Sequence, residues 1–282
     1  MFTLQLPRGR TLSLARPIVM GILNVTPDSF SDGGKFNQID NAVKQALTLL
    51  EEGAQIIDIG GESTRPGAPD VSLQDELQRV IPVVNAIRAV SDCVISIDTS
   101  KPEVMEQAIE AGADIINDVR ALQEVGALAV LARYPDVPVC LMHMKGAPRT
   151  MQAAPHYDNL LAEIHAFLEV RIEACISAGI QRERIILDPG FGFGKTLTHN
   201  FGLLGEFDAF ERHKLPLLAG LSRKSMFGQL LNRDANERLA ASLAGAMLCA
   251  QKGAHIIRVH DVKETVDVLD VLHAACNGVE HE

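Results

Sequence analysis

The chain has 282 residues, a formal net charge of −10 and 47% hydrophobic residues, with two tyrosines and no tryptophan. Its length admits one large or two small domains. Its acidity repels polyphosphate backbones and its few aromatics offer no stacking platform, so nucleic acid is excluded as a partner and any anion must be held by local cations.

In chain order, Met1–Pro7 lacks the basic and apolar regions of a signal peptide, and no run reaches the roughly 18 apolar residues a membrane span requires. A cytoplasmic protein with no membrane contact is expected. Phe2–Leu14 alternates weakly and predicts a short hairpin closing the bottom of the fold. Eight apolar runs then predict strands at Ile18–Asn24, Ile56–Gly60, Val94–Asp98, Ile115–Asp118, Val139–Met142, Ile185–Asp188, Leu217–Gly220 and Ile256–Val259. Amphipathic helices are predicted over Gln38–Glu51, Leu73–Val90, Pro102–Ala111, Val125–Arg133, Asn159–Ala178, Asn200–Arg212, Ala235–Gln251 and Val262–Ala275. Five widely spaced cysteines (Cys93, Cys140, Cys175, Cys249, Cys276) without a CxxC pair read as reduced core residues.

A phrase recurs: Gly53-Ala-Gln-Ile-Ile-Asp58, Gly112-Ala-Asp-Ile-Ile-Asn117 and Gly253-Ala-His-Ile-Ile-Arg258. Each Gly follows a helix as a left-handed C′ residue should, and each Ile-Ile lies in a buried strand. The spacings of 59 and 141 residues correspond to about two and four βα units of roughly 30–35 residues. With no linker-like segment, the expectation is a single α/β domain over residues 1–282, a TIM (β/α)8 barrel. A doubly wound open sheet is the alternative, because strand count alone cannot close a sheet.

Every predicted strand ends in polar residues: Asn24, Glu62, Asp98, Asn117, His143, Asp188, Ser222-Arg223-Lys224, then Arg258 and His260. In a closed barrel these converge on the mouth where barrel enzymes place their chemistry. Plainer readings stand beside this one. Asp98 could cap the next helix, Asn117 could satisfy loop backbone, and Asp188 could merely open the Pro-Gly turn. Asp98, Asn117 and Asp188 suit a flat heterocycle rich in N–H donors, and Lys224, Arg258 and His260 suit an anion. Two loops, Thr26–Gly34 and Gly60–Gly67, read as lids. Gly194-Lys195-Thr196 imitates the end of a phosphate-binding loop, but the first glycine of that motif is displaced by Pro189.

The stretches Gly21–Gly34, Asp58–Gly67, Ile97–Thr99, Ile116–Asp118, Leu187–Lys195, Leu221–Ser225 and Arg258–His260 together resemble the dihydropteroate synthases of the bacterial folate pathway. The resemblance runs over nearly the whole chain. It implies a barrel transferase that condenses 6-hydroxymethyl-7,8-dihydropterin diphosphate with 4-aminobenzoate, as a homodimer. It implies pterin contacts from Asp98, Asn117, Asp188 and Lys224, and diphosphate contacts from Thr64, Arg258 and His260, with Mg2+ near Asn24. The 4-aminobenzoate pocket, which sulfonamides occupy in this family, would use Phe30, Arg65, Pro66, Phe193 and Ser222. The competing readings are a methyltetrahydrofolate-binding methyltransferase barrel and a non-catalytic pterin-binding paralogue.

Overall fold

The computed structural model describes residues 2–26, 35–63, 70–146, 151 and 155–279. Eight parallel strands form one sheet: β3 (Ile18–Asn24), β4 (Ile56–Gly60), β5 (Val94–Asp98), β6 (Ile115–Asp118), β7 (Val139–Met142), β8 (Ile185–Asp188), β9 (Leu218–Ala219) and β10 (Ile256–Val259). An antiparallel hairpin of β1 (Thr3–Leu6) and β2 (Arg10–Ser13) precedes them. The described helices are α1 (Lys35–Glu51), α2 (Leu73–Arg88), α3 (Pro102–Glu110), α4 (Ala127–Arg133), α5 (Leu160–Ser177), α6 (Leu197–Gly205), α7 (Ser225–Leu231), α8 (Leu239–Gln251) and α9 (Val262–Asn277).

What decides between barrel and open sheet is the edge between β8 and β9. There a parallel bridge joins Leu187 to Leu217, and the Leu187 N–H donates to the Pro216 carbonyl at 2.9 Å. Carried round the sheet and extended by one residue where strands stop, the pairing that leaves β3 at Val25 returns to it at Pro17, eight residues lower. Eight strands with that stagger are the geometry of a TIM barrel.

Alternation within each strand sorts side chains into two layers. Ile57, Ile59, Ile95, Ile97, Ile116, Leu141, Leu187 and Ile257 face outward and pack with the helices. Ile18, Met20, Ile56, Ile115, Cys140, Ile186, Leu218 and Ile256 face inward and form a lower layer. The hairpin caps that layer with Leu4, Leu6 and Leu14. It is tied down by Arg8 and Arg10, which join Arg88 of α2 on the fully buried Asp114 carboxylate, Arg8 at 2.5 Å and Arg88 at 2.9 Å.

The expected C′ glycines Gly53, Gly112 and Gly253 have φ of +103°, +109° and +88°. Three helical expectations are corrected. Instead of starting at Asn200, α6 starts at Leu197, because the Thr196 hydroxyl accepts the His199 N–H while His199 Nδ1 accepts the Thr196 N–H, each at 3.2 Å. It stops at Gly205, and Phe207–His213 continues as a 3-10 turn. Ala235–Glu237 is likewise a separate 3-10 turn before α8, and the seven-residue α7 was not expected. Cys140, Cys175 and Cys249 are core residues as read, whereas Cys276 is exposed near the end of α9.

Replacing Asp114 by Ala leaves three guanidinium groups facing each other without their anion. All three are partly solvated, so we expect a loss of about 2–4 kcal/mol, measured by urea unfolding; a loss below about 0.5 kcal/mol would refute the anchoring role.

Candidate active site

At the upper end of the barrel the register places Asn24, Gly60, Asp98 and Asn117 side by side on β3 to β6. Gly60 carries no side chain between its neighbours. A Cβ built there would lie 3.8 Å from Asp98 Oδ2 and 3.9 Å from Asn24 Oδ1, so those two groups face one another across it.

Arg258 of β10 reaches across the barrel axis. Its Nε donates to Asp58 Oδ2 at 2.6 Å, and a terminal nitrogen donates to Asp98 Oδ2 at 2.8 Å. Asn117 Nδ2 donates to the same Asp58 oxygen at 3.2 Å. Asp58, Asp98 and Asn117 are all buried. Burial opposes the charge on Arg258, but Asp58 and Asp98 outweigh it and hold its pKa above the ordinary value. Burial raises the Asp98 carboxyl to about 7, against the pull of Arg258 and with the help of Asp58. Two carboxylates thus share one guanidinium, and the set retains anionic character once both are ionised.

Asp58 is the functional-site residue that the sequence reading passed over, because it sits mid-strand between outward-facing Ile57 and Ile59. The signal was present in the repeated phrase. Asp58, Asn117 and Arg258 are the sixth residues of its three copies, and the closed barrel joins all three in one hydrogen-bonded set.

Asp188 ends β8 buried. Its Oδ1 accepts the Gly190 N–H at 2.7 Å, so it does open the turn as well as face the mouth. Burial raises its pKa, while the Gly190 N–H, Lys224, Lys195 and Arg258 pull it back. Lys224 precedes α7, and its ammonium lies 4.2 Å from the centroid of the Phe193 ring. Its stem crosses Gly192, where a Cβ would stand 3.3 Å from Lys224 Cδ. The Ser222 hydroxyl accepts the His260 backbone N–H at 3.1 Å and lies 3.0 Å from His260 Nδ1. Arg223, in the left-handed region at φ +57°, pairs with Asp261 and so ties the same two loops together on the outside.

Two strand-end residues have partners outside this carboxylate and arginine set. Glu62 receives Lys101 Nζ at 2.5 Å, an ammonium it shares with buried Glu76. His143 points outward against Phe167 of α5, with ring centroids 5.0 Å apart. Asp98 caps no helix; the N-cap position of α3 is held by Lys101, without a side-chain capping bond. Beside Asp98 a cavity of about 410 Å³ opens toward Glu62, Thr99, Lys101 and Arg120. Phe30, Thr64, Arg65 and Pro66 lie outside the described residues, with most of the first lid and half of the second.

For a divalent cation the fit is partial. The Asn24 amide oxygen and the Asp98 carboxylate face each other over Gly60. Mg2+ held by one or two protein oxygens takes its other ligands from water and substrate phosphates. This donor set is compatible with that mode, and no group of three His, Cys, Asp or Glu that could hold a metal occurs among the described residues.

Residues 20–260 match the family described as pterin binding enzyme. The chain is 56% identical over 275 residues to the dihydropteroate synthase of Escherichia coli strain K12, covering 98% of this chain and 97% of that one. The crystal structure of the Yersinia pestis dihydropteroate synthase with a sulfonamide drug complex superposes with a TM-score of 0.92 at 53% identity, covering 98% and 99% of the two chains. Dihydropteroate synthase from Xanthomonas albilineans in complex with 7,8-dihydropteroate superposes at 0.87 with 48% identity, covering 95% and 97%.

Removing Asp58 strips Arg258 Nε and Asn117 of their shared acceptor inside the barrel. We expect Asp58→Ala to cost about 3–5 kcal/mol in chemical unfolding; a change within about 0.5 kcal/mol would mean that the pair is not a structural hub.

Proposed function

The chain belongs to the dihydropteroate synthase family of pterin-binding enzymes, a family of transferases, and on that footing we propose how its residues divide the work. The reaction is the condensation of 6-hydroxymethyl-7,8-dihydropterin diphosphate with 4-aminobenzoate to give 7,8-dihydropteroate and diphosphate. The observation that carries this reading is the convergence of Asp98, Asn117, Asp188 and Lys224 on one barrel mouth, on strands and loops far apart in sequence. Carboxylates beside an amide match the donor-rich edge of an aminopyrimidinone, and each charge-assisted bond contributes about 1.5–3 kcal/mol.

In this reading Asp98, Asn117, Asp188 and Lys224 hold the pterin. His260, Thr64 and Arg258 hold the diphosphate. Phe30, Arg65, Pro66, Phe193 and Ser222 form the 4-aminobenzoate pocket. Mg2+ near Asn24 and Asp98, when bound, neutralises charge growing on the departing diphosphate. Ionised Asp98 and Asp188 favour the cationic methylene that remains on the pterin. No covalent nucleophile is required. Burial raises the Cys140 thiol well above its ordinary value in the barrel floor, and the Ser222 hydroxyl is occupied by His260.

We propose an SN1-like course, which a bond-breaking rate independent of amine nucleophilicity supports and a steep positive dependence refutes. The homodimer and the cytoplasmic location belong to the same proposal. Their support is the family resemblance and, for the location, the lack of any described helix long and apolar enough to cross a membrane.

Mixing both substrates with the protein and Mg2+ is expected to release one diphosphate per dihydropteroate formed. Pterin binding without diphosphate release would favour the methyltransferase or non-catalytic alternative. Asp188→Asn is expected to weaken pterin binding by at least about 1 kcal/mol in titration calorimetry, and unchanged affinity would remove Asp188 from the pocket. Because only ionised Asp98 accepts two N–H bonds, pterin affinity is expected to rise with pH as that carboxyl titrates near its raised value of about 7. In Asp98→Asn this limb should vanish; its persistence would assign it to another group.

A further inference from the structure

The segment leaving β8 runs through Gly190, Gly192 and Gly194, at φ +75°, +81° and +64°. At Gly190 a Cβ would come within 1.9 Å of the His143 carbonyl oxygen, and at Gly194 within 2.2 Å of the Lys145 carbonyl oxygen. A backbone pressed so closely against its neighbour, with three residues in the left-handed region, needs partners to hold it. The Gly192 N–H donates to Asn200 Oδ1 at 2.7 Å, and Tyr157 donates its hydroxyl to the Gly194 carbonyl at 2.8 Å.

The hub of the segment is Lys195, only 3% exposed. Its Nζ donates to the Gly190 carbonyl at 2.8 Å and to the Phe193 carbonyl at 3.3 Å, and lies 3.0 Å from His143 Nδ1. Burial drives His143 down to about 2, so its ring is neutral and Nδ1 is free to accept. Burial likewise draws Lys195 down to about 7. All three hydrogen-bond partners are neutral, so the ammonium is buried with no carboxylate directly bonded to it. Only the ammonium form has the three N–H donors these acceptors use, and holding it buried carries a cost that a core methionine filling the same space would not. The feature calls for a use beyond packing.

We propose that Lys195 is a positioning residue for the reaction: its ammonium gathers Gly190, Phe193 and His143 and so fixes the Phe193 ring beneath the Lys224 ammonium. The lysine that in sequence imitates the phosphate-reaching lysine of a nucleotide loop is turned into the protein, where it shapes the loop from below. Its use in catalysis rests on the reading above that Phe193 borders the 4-aminobenzoate pocket; its effect on the loop does not.

Two measurements separate these claims. The chain has no tryptophan, so Phe193→Trp places one fluorophore over the clamp, and no substrate is needed to read it. Adding Lys195→Met to that variant is expected to shift its emission to longer wavelength and to raise acrylamide quenching about twofold. Unchanged emission and quenching would overturn the clamp.

In the enzyme with its native Phe193, Lys195→Met is expected to raise KM for 4-aminobenzoate about tenfold while the Kd of a pterin analogue stays within about twofold. Lys195→Arg, which keeps the donors, should recover part of the loss. The Lys195→Met/Phe193→Leu double variant should be no worse than the more affected single variant. Equal losses for both substrates, or additive effects, would reduce Lys195 to a general stability role and overturn the positioning claim. Should Lys195→Met fail to fold, His143→Leu removes one of the three acceptors and is read in the same two ways. Turnover by the unaltered enzyme tests the reaction itself, so failure of that reading and failure of the clamp give different results.

Discussion

Arg258 holds this barrel mouth together. Its guanidinium spans from β10 to carboxylates on β4 and β5, 200 and 160 residues away in sequence. That reach exists only because the sheet closes. In an open sheet β8 and β9 would be free edges, and nothing would fix the stagger that brings these strand ends to a common level. Closure in turn gains from the pairing, since two carboxylates on a water-poor floor need a cation between them. Neither carboxylate is fully compensated, because both share the one guanidinium. A ligand that offers N–H donors to this floor supplies what the protein leaves incomplete.

Much of this was legible before the fold was known, and the boundary of legibility is physical. All eight strands were readable because each is buried on both faces, leaving short apolar runs cut by Gly, Asp and Asn. The C′ glycines were readable because only that residue sits cheaply at φ near +100°. Asp58 was not, because polarity inside an apolar run looks like an interruption until one knows which face points inward. His143 reads as a mouth residue for the converse reason: nearness to a strand end does not give side-chain direction, and its ring turns to α5. The short α7 carries Gly228 at its centre and has no side-chain cap, so it shows neither a helical period nor a start signal.

The two ends of the barrel use charge differently. Below, Asp114 has three arginines and a backbone N–H around it, a surplus of donors that fixes the hairpin against the floor. Above, Asp98 and Asp58 compete for one arginine, and Asp188 has a backbone N–H as its nearest donor. Saturated anions stabilise; undersaturated ones remain able to bind. The same division shows in the backbone, where the left-handed glycines of the Asp188–Lys195 segment crowd the upper end.

An anionic floor beneath a rim carrying Lys224 and His260 also bears on what chemistry the mouth can favour. A step that develops negative charge on a departing group and positive charge on the group left behind is helped at both ends by such a field. It gains little from a general base or a nucleophile. The residues that could have served as either are elsewhere engaged: Cys140 lies in the lower layer, His143 is held neutral against Lys195, and Ser222 is bonded to His260. On the proposed reading, charge separation is the event this field assists, and the second substrate needs only to arrive with its amine oriented and water shut out. On the same reading, that orientation depends on the loop carrying Phe193, whose backbone carbonyl and that of Gly190 accept the buried Lys195 ammonium from below.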